Sequence, residues 1–390
     1  MDRTTRDGII RCVEDQLYEL KYIKRYLYEN PEIGGTEEKS SRILVSYLKD
    51  RDFEVTENFC DIPWAFRACY DSRRPGVSIG MTAEYDALPE IGHACGHNII
   101  ATAPMGACVA LKDAVDKFGG KVILYGTPAE ENLDRKLDMI EAGAFEEADV
   151  CLNIHPFGHS MKSGFTTALD SWVIDFYGKS AHAGIRPEEG INALDAAVQF
   201  YQMVNFEKQY LKGVNLYGVI PEGGFKCSII PDYSQVKFLA RSESVDTNMK
   251  TRDMIVRAAE AVCRLTGARY TIATDEPSNL PMNTNRTLAE VFENFYEELS
   301  GETMAECEFG ASTDAGNVSW VVPSIMPCIG VGCPDIMLHT PEFREACMTE
   351  AGDNAMKWAA EALALTGLRV MEDPELLKSI RREFVRSLSH

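Results

Sequence analysis

The stretch VSIGMTAEYDALPEIGHACGHNIIATAPMGACVAL, residues 77–111, decides the reading of the chain. It opens on a strand-like apolar run, Val77 to Met81, directly after the turn signal Arg74-Pro75-Gly76. It then passes through a polar loop with two histidines and a cysteine, and enters a helical stretch predicted over 98–115. Strand, chemically loaded loop and helix in that order predict one unit of an α/β sheet. In such sheets ligands bind beyond the carboxyl ends of the strands.

The same alternation recurs on either side. Upstream, Ile10, Val13, Leu17, Leu20, Ile23 and Leu27 have helical spacing, ended by Asn30-Pro31. A second helix carrying Ile43, Leu44, Tyr47 and Leu48 is predicted to start at Thr36. Downstream, strands are predicted over 121–125, 150–154 and 326–331, with a helix over 133–143. The fold class is therefore α/β, with a mostly parallel sheet covered by helices on both faces. From Thr167 to Thr274 the order becomes strand, helix (192–204), strand, strand, helix (248–265), strand. That order predicts an inserted α+β sandwich. The expected organisation is a catalytic domain at 1–166 and 275–390, interrupted by a second domain at 167–274.

Composition limits the function. The 390 residues carry a formal net charge of −21. That argues against nucleic acid and against an anionic membrane surface, since both require a basic face. No run approaches the roughly 20 apolar residues of a spanning helix, and MDRTTRDGII does not resemble a secretory signal. A cytoplasmic protein is expected, with its twelve cysteines reduced. Neither a G-x-S-x-G elbow nor a glycine-rich nucleotide motif occurs, which argues against a serine hydrolase and a nucleotide cofactor.

Chemistry-bearing residues gather at predicted strand ends. Asp86 follows the first strand, and Cys95 and His97 lie in the loop after it. Glu130 and Glu131 follow VILYGTPA, His155 ends CLNI, and His339 lies beyond a late strand. Cys, His and Glu together are a ligand set for zinc or another divalent transition ion. Singly, each has an ordinary reading. A cysteine near a histidine arises by accident, a Glu pair is usually solvated surface, and a histidine after a strand is more often a satisfied loop residue. The ordered set is what points to a metal.

The blocks NPEIGGTEE (30–38), AEYDALPEIGHACGHN (83–98), GTPAEEN (126–132), NIHP (153–156), GKSAHAGIRPEEGINALDA (178–196), EGGFKCSIIPD (222–232), ASTDAGNVS (311–319) and LHTPEF (338–343) occur in one order over nearly the whole chain. In that order they resemble the dinuclear metallopeptidase and aminoacylase family, and most of all its aminobenzoyl-glutamate hydrolase and β-alanyl-lysine dipeptidase branch. The resemblance implies two divalent ions per subunit, zinc or manganese, held by Cys95, His97, Glu131, His155 and His339, with Cys95 as bridge. It implies Glu130 as general base and Asp86 as the carboxylate orienting a ligand histidine. It makes the inserted domain a lid and the seat of a homodimer. There His182 matches an oxyanion donor that, in dimeric members, comes from the neighbouring subunit.

Arg241 and Ser228 are candidate substrate contacts. Arg241 is equally readable as a surface ion pair, and Ser228 stands where the family usually has Asn. His93 and His159 match no ligand role, and His390 is terminal. Two further departures are Asn132-Leu133-Asp134-Arg135 in place of a glycine run, and Tyr28 where a His is common. The implied activity is hydrolysis of the amide bond of a small N-acyl or aminoacyl amino acid. The rival readings are a catalytically silent binding descendant and a broader carboxypeptidase.

Overall fold

The computed structural model describes residues 3–164, 166–307 and 310–389, so His390 lies outside the described residues. The chain divides into two compact units. The first comprises 1–165, 282–309 and 313–390, and the second 166–281 with 310–312.

In the first unit the six-stranded sheet runs, in spatial order, Glu54–Glu57, Phe66–Asp71, Lys121–Gly126, Ser78–Ala83, Val150–Leu152, Ser324–Ile325. Strand Ser78–Ala83 pairs in parallel with Lys121–Gly126 and with Val150–Leu152, which pairs in parallel with Ser324–Ile325. The Glu54–Glu57 and Phe66–Asp71 edge is antiparallel. Side chains alternate across the sheet as the pleat requires. Val122 and Leu124 join the large core beneath helix His97–Ala110, whereas Ile123 and Tyr125 pack with Met139 and Phe145 on the other face. Both faces are thus covered, which explains why the central strands read as continuous apolar runs. Every residue of helix His97–Ala110 is buried. Helices Arg3–Glu29 and Glu350–Glu372 pack against it.

Three sequence expectations need correction. The second helix spans Glu38–Lys49, because the Thr36 hydroxyl donates to the Ile33 carbonyl and closes a turn instead of capping the helix. The helix predicted over 98–115 breaks at Leu111 into His97–Ala110 and Lys112–Phe118. The late strand predicted over 326–331 is two pieces. Ser324–Ile325 closes the main sheet, and Cys328–Gly330 pairs in parallel with His155–Phe157.

A half-buried ion cluster gives this unit an acid-sensitive element. Arg67 donates to Glu147 Oε2 at 2.8 Å, and Lys121 bonds the same carboxylate. Burial opposes the charge on Glu147, but Arg67 and Lys121 outweigh it and hold the carboxyl down at about 2. Its contribution is complete above the unfolded value of about 4.3 and is lost as pH falls toward about 2. Glu147→Gln is expected to cost about 1–3 kcal/mol at neutral pH and to flatten the fall in Tm across that acid window. Thermal unfolding at stepped pH checks this, and identical acid curves for both proteins would refute it.

The second unit is an antiparallel sheet ordered Arg269–Thr274, Ala168–Tyr177, Tyr233–Ser242, Val214–Glu222. Helices Ala193–Glu207 and Val245–Thr266 pack on it. Asn192 and Ser244 cap these helices by accepting from N–H groups of their first turns. Phe200, Val236, Phe238, Ile255 and Val262 fill the space between. A short ribbon, Ala181–His182 with Ile229–Ile230, stands apart from that sheet. Among the described residues no helix is long and apolar enough to cross a membrane.

Candidate metal centre

The first unit brings Asp86, Cys95, His97, Glu130, Glu131, His155 and His339 to one place. Cys95, His97 and His155 present ligand atoms within 4.8 Å of one another, and so do Cys95, Glu131 and His339. His97, Glu130 and Glu131 form a third such group. Cys95 belongs to both of the first two.

Local backbone geometry aims these side chains. Gly96, between the cysteine and histidine, has φ +82° and begins helix His97–Ala110. A Cβ there would sit 2.9 Å from the Pro156 ring, beside the His155 loop. Ala129 (φ 57°) and His339 (φ 63°) also occupy the left-handed region, which non-glycine residues adopt mainly where surrounding structure enforces it. Glu37 supplies that support for Ala129 by accepting its N–H at 2.7 Å. Burial raises the Glu37 carboxyl to about 7.

Hydrogen bonding determines which ring nitrogen faces inward. His97 donates through Nδ1 to the Asp86 carbonyl at 3.0 Å and to Asp86 Oδ1 at 2.9 Å. The other Asp86 oxygen accepts the Glu131 N–H at 2.9 Å. One carboxylate therefore orients a histidine and the backbone of a neighbouring carboxylate. His97 Nε2 is left 3.6 Å from Glu131 Oε1 and 4.0 Å from Glu130 Oε2. His155 donates through Nδ1 to the Pro156 carbonyl at 2.7 Å, so its Nε2 faces the Cys95 sulfur at 3.5 Å. His339 Nε2 lies 3.6 Å from Glu131 Oε1.

The donor set fits a pair of divalent cations. His97 Nε2 and Glu131 Oε1 are buried with no hydrogen-bond partner. Leaving such atoms unmatched is costly unless a cation receives them. Burial, then the Glu131 charge, pushes the Cys95 thiol well up. A bound cation would favour the thiolate in that setting. Burial opposes charge on His97, but the Asp86 carboxylate outweighs it and raises its pKa well above the usual histidine value.

Several participants escaped sequence reasoning. Glu84 Oε2 lies 3.6 Å from His97 Nε2, and Glu84 Oε1 lies 2.8 Å from Lys136 Nζ. Lys136 is fully buried and also reaches Asp314. Thr313 donates to Glu130 Oε1 at 2.8 Å. Glu84, Thr313 and Asp314 lie inside recognisable blocks, but nothing in those blocks shows that they converge. Lys136 follows the replaced glycine run, where a charged residue reads as solvated surface. Within that run, Asn132 donates to the Gly34 carbonyl at 3.2 Å, and Arg135 pairs with Asp138. Tyr28 bonds Glu345 at 2.7 Å, a structural contact. His93 is buried, and burial followed by the His97 charge lowers its pKa to about 3. His159 is exposed against Phe157.

His182, Ser228 and Arg241 belong to the second unit, outside this cluster. His182 pairs with Ile229 in the short ribbon, and the Ser228 carbonyl accepts the Ala183 N–H. Arg241 lies on strand Tyr233–Ser242, paired with Leu169 and Asn215.

Comparison with known proteins matches residues 167–266 to the peptidase dimerisation domain family. The Xaa-Arg dipeptidase of Mus musculus is 33% identical over 394 residues, covering 95% of this chain and 90% of that protein. A p-aminobenzoyl-glutamate hydrolase component of Escherichia coli is 27% identical, covering 92% of this chain and 90% of its own. A solved dinuclear metal binding peptidase of Bacillus subtilis superposes with a TM-score of 0.71 at 18% identity, over 92% of this chain and 99% of that one. These relatives make the chain a hydrolase that acts on amide or peptide bonds. Within that class, the chain belongs to the dinuclear metallopeptidase and aminoacylase family.

Proposed function

We propose that the protein is a two-metal amidohydrolase that releases an amino acid from a small N-acyl or aminoacyl conjugate. The observation that carries this reading is the pair of ligand triads sharing Cys95, with the carboxylate of Glu130 beside them. Cys95, His97 and His155 would hold one ion, and Cys95, Glu131 and His339 the other. When bound, the ions polarise the scissile carbonyl and lower the pKa of the attacking water toward about 7. Glu130 takes the proton from that water and delivers it to the leaving amine. Asp86 keeps His97 in the tautomer that points Nε2 inward.

His182 serves as oxyanion donor. Its Nδ1 accepts the Gly184 N–H at 3.2 Å, which places the ring proton on Nε2, the form a donor needs. Arg241 and Ser228 contact the substrate carboxylate and carbonyl. The second unit acts as lid and forms the homodimer, in keeping with its match to the dimerisation domain family. A thiolate ligand favours zinc over manganese. Twelve cysteines with no small-scaffold spacing suit the reducing cytoplasm. A dipeptide or aminobenzoyl-glutamate-like amide is the substrate class, in line with the names of the mouse and Escherichia coli relatives.

The test is to strip the protein with a chelator and restore zinc, manganese or cobalt singly. Amino-acid release is then followed from Xaa-Arg and β-alanyl dipeptides, N-acetyl amino acids and aminobenzoyl-glutamate. Activity is expected to vanish with the ions and return with one of them. Two bound ions without turnover of any substrate would favour a silent binding descendant. Equal processing of tri- and tetrapeptides would favour a broad carboxypeptidase.

A further inference from the structure

Lys136 is no metal ligand, yet it is completely buried next to the centre. Burying an ammonium costs several kcal/mol unless carboxylates meet it in good geometry. Here its Nζ lies 2.5 Å from Asp314 Oδ1 and 2.8 Å from Glu84 Oε1. Its backbone N–H donates to Asp314 Oδ2 at 3.2 Å. One residue therefore grips both oxygens of Asp314. The residue preceding Asp314 is Thr313, whose hydroxyl donates to Glu130 Oε1. That leaves Glu130 Oε2 turned toward His97 Nε2, 4.0 Å away.

We propose that Lys136 and Asp314 form a buried brace that acts through the Thr313 hydroxyl to hold Glu130 in one orientation, with Oε1 tied and Oε2 alone presented to the metal centre. Lys136, Asp314 and Thr313 are positioning residues, and the proposal rests on Glu130 being the general base. The brace has three anchors. Glu84 follows strand Ser78–Ala83, Lys136 lies in helix Arg135–Glu141, and Asp314 precedes helix Ala315–Val318, which packs against that helix. A lysine is needed at its centre because Glu84 and Asp314, both buried, would otherwise lie beside Glu130 as unpaired carboxylates. A loosened Thr313 would let Glu130 rotate. Misplacing a catalytic group by about 1 Å lowers turnover by up to about 100-fold.

The experiment compares Thr313→Val, Thr313→Ser, Lys136→Met, the Thr313→Val/Lys136→Met double variant and Glu130→Gln, all metal-loaded, on the substrate turned over in the panel. Thr313→Val is expected to lower kcat about 10- to 100-fold, with KM and two-ion stoichiometry unchanged. Thr313→Ser should restore most of it. The double variant should be no slower than Lys136→Met, because both changes act by one route. Crystal structures should show the Glu130 carboxylate rotated in Thr313→Val and in its original rotamer in Thr313→Ser. An unmoved carboxylate in both Thr313→Val and Lys136→Met overturns the brace whatever the substrate. So does an unchanged kcat in Thr313→Val beside an inactive Glu130→Gln, loss of metal from Thr313→Val, or multiplying effects in the double variant. An active Glu130→Gln overturns the general-base reading itself. If Lys136→Met does not fold, the two Thr313 variants still decide.

Discussion

Glu130→Gln is expected to reduce kcat by about 10²- to 10⁴-fold while both metal ions stay bound. The glutamine keeps the size of the side chain and can still accept from the Thr313 hydroxyl, so the surroundings need not shift. It cannot take a proton. Burial and then the charges of Glu84 and Asp314 push the Glu130 carboxyl well above its ordinary value, with Lys136 opposing. Cations in the two neighbouring triads would oppose that shift and favour the ionised carboxylate a general base requires. Steady-state kinetics beside elemental analysis would check the result. Turnover near that of the parent protein would remove Glu130 from the reaction. Lost activity with lost metal would make it a ligand instead.

Cys95→Ser is expected to disable both halves of the centre at once. Its sulfur is the one donor common to the two triads, so removing it leaves His97 with His155 and Glu131 with His339. Changing a group that merely orients a ligand costs roughly 10–100-fold in metal affinity, and loss of a shared ligand should exceed about 100-fold. His155→Ala should behave differently, because it touches one triad only. The comparison can be read by competition with a chromogenic chelator. A Cys95→Ser protein that still holds one ion with parental affinity would show that the thiolate serves a single site.

How far the sequence reached depended on the range of the interactions involved. Helix Arg3–Glu29 announces itself because Val13, Leu20, Ile23 and Leu27 repeat with the helical period on one face. The central strands show as apolar runs because both of their faces are covered. Boundaries were less legible. Thr36 has a capping side chain but spends its hydroxyl on the turn at Ile33, and the short late strands divide between two sheets. Cys95, His97, Glu131 and His155 were legible as strand-end placement, since Ser78–Ala83, Lys121–Gly126 and Val150–Leu152 are parallel and deliver their carboxyl ends to one edge, whereas His339 lies beyond Cys328–Gly330 of a separate two-stranded sheet. Glu84, Lys136 and Asp314 were not visible as a group. Lys136 and Asp314 lie 178 positions apart, and no local pattern marks an ionic side chain for burial.

By itself, the sequence determined the fold class, the order of the elements, the family and the donor types at the strand ends. Each of these is written in local periodicity or in contiguous blocks of residues. Only the tertiary structure decided that both histidines in one triad turn Nε2 inward, and that Lys136 stands buried behind Glu130. Those properties arise where separate segments meet. The partner that orients a ring, or receives a buried charge, is chosen by packing across the fold and not by neighbours along the chain.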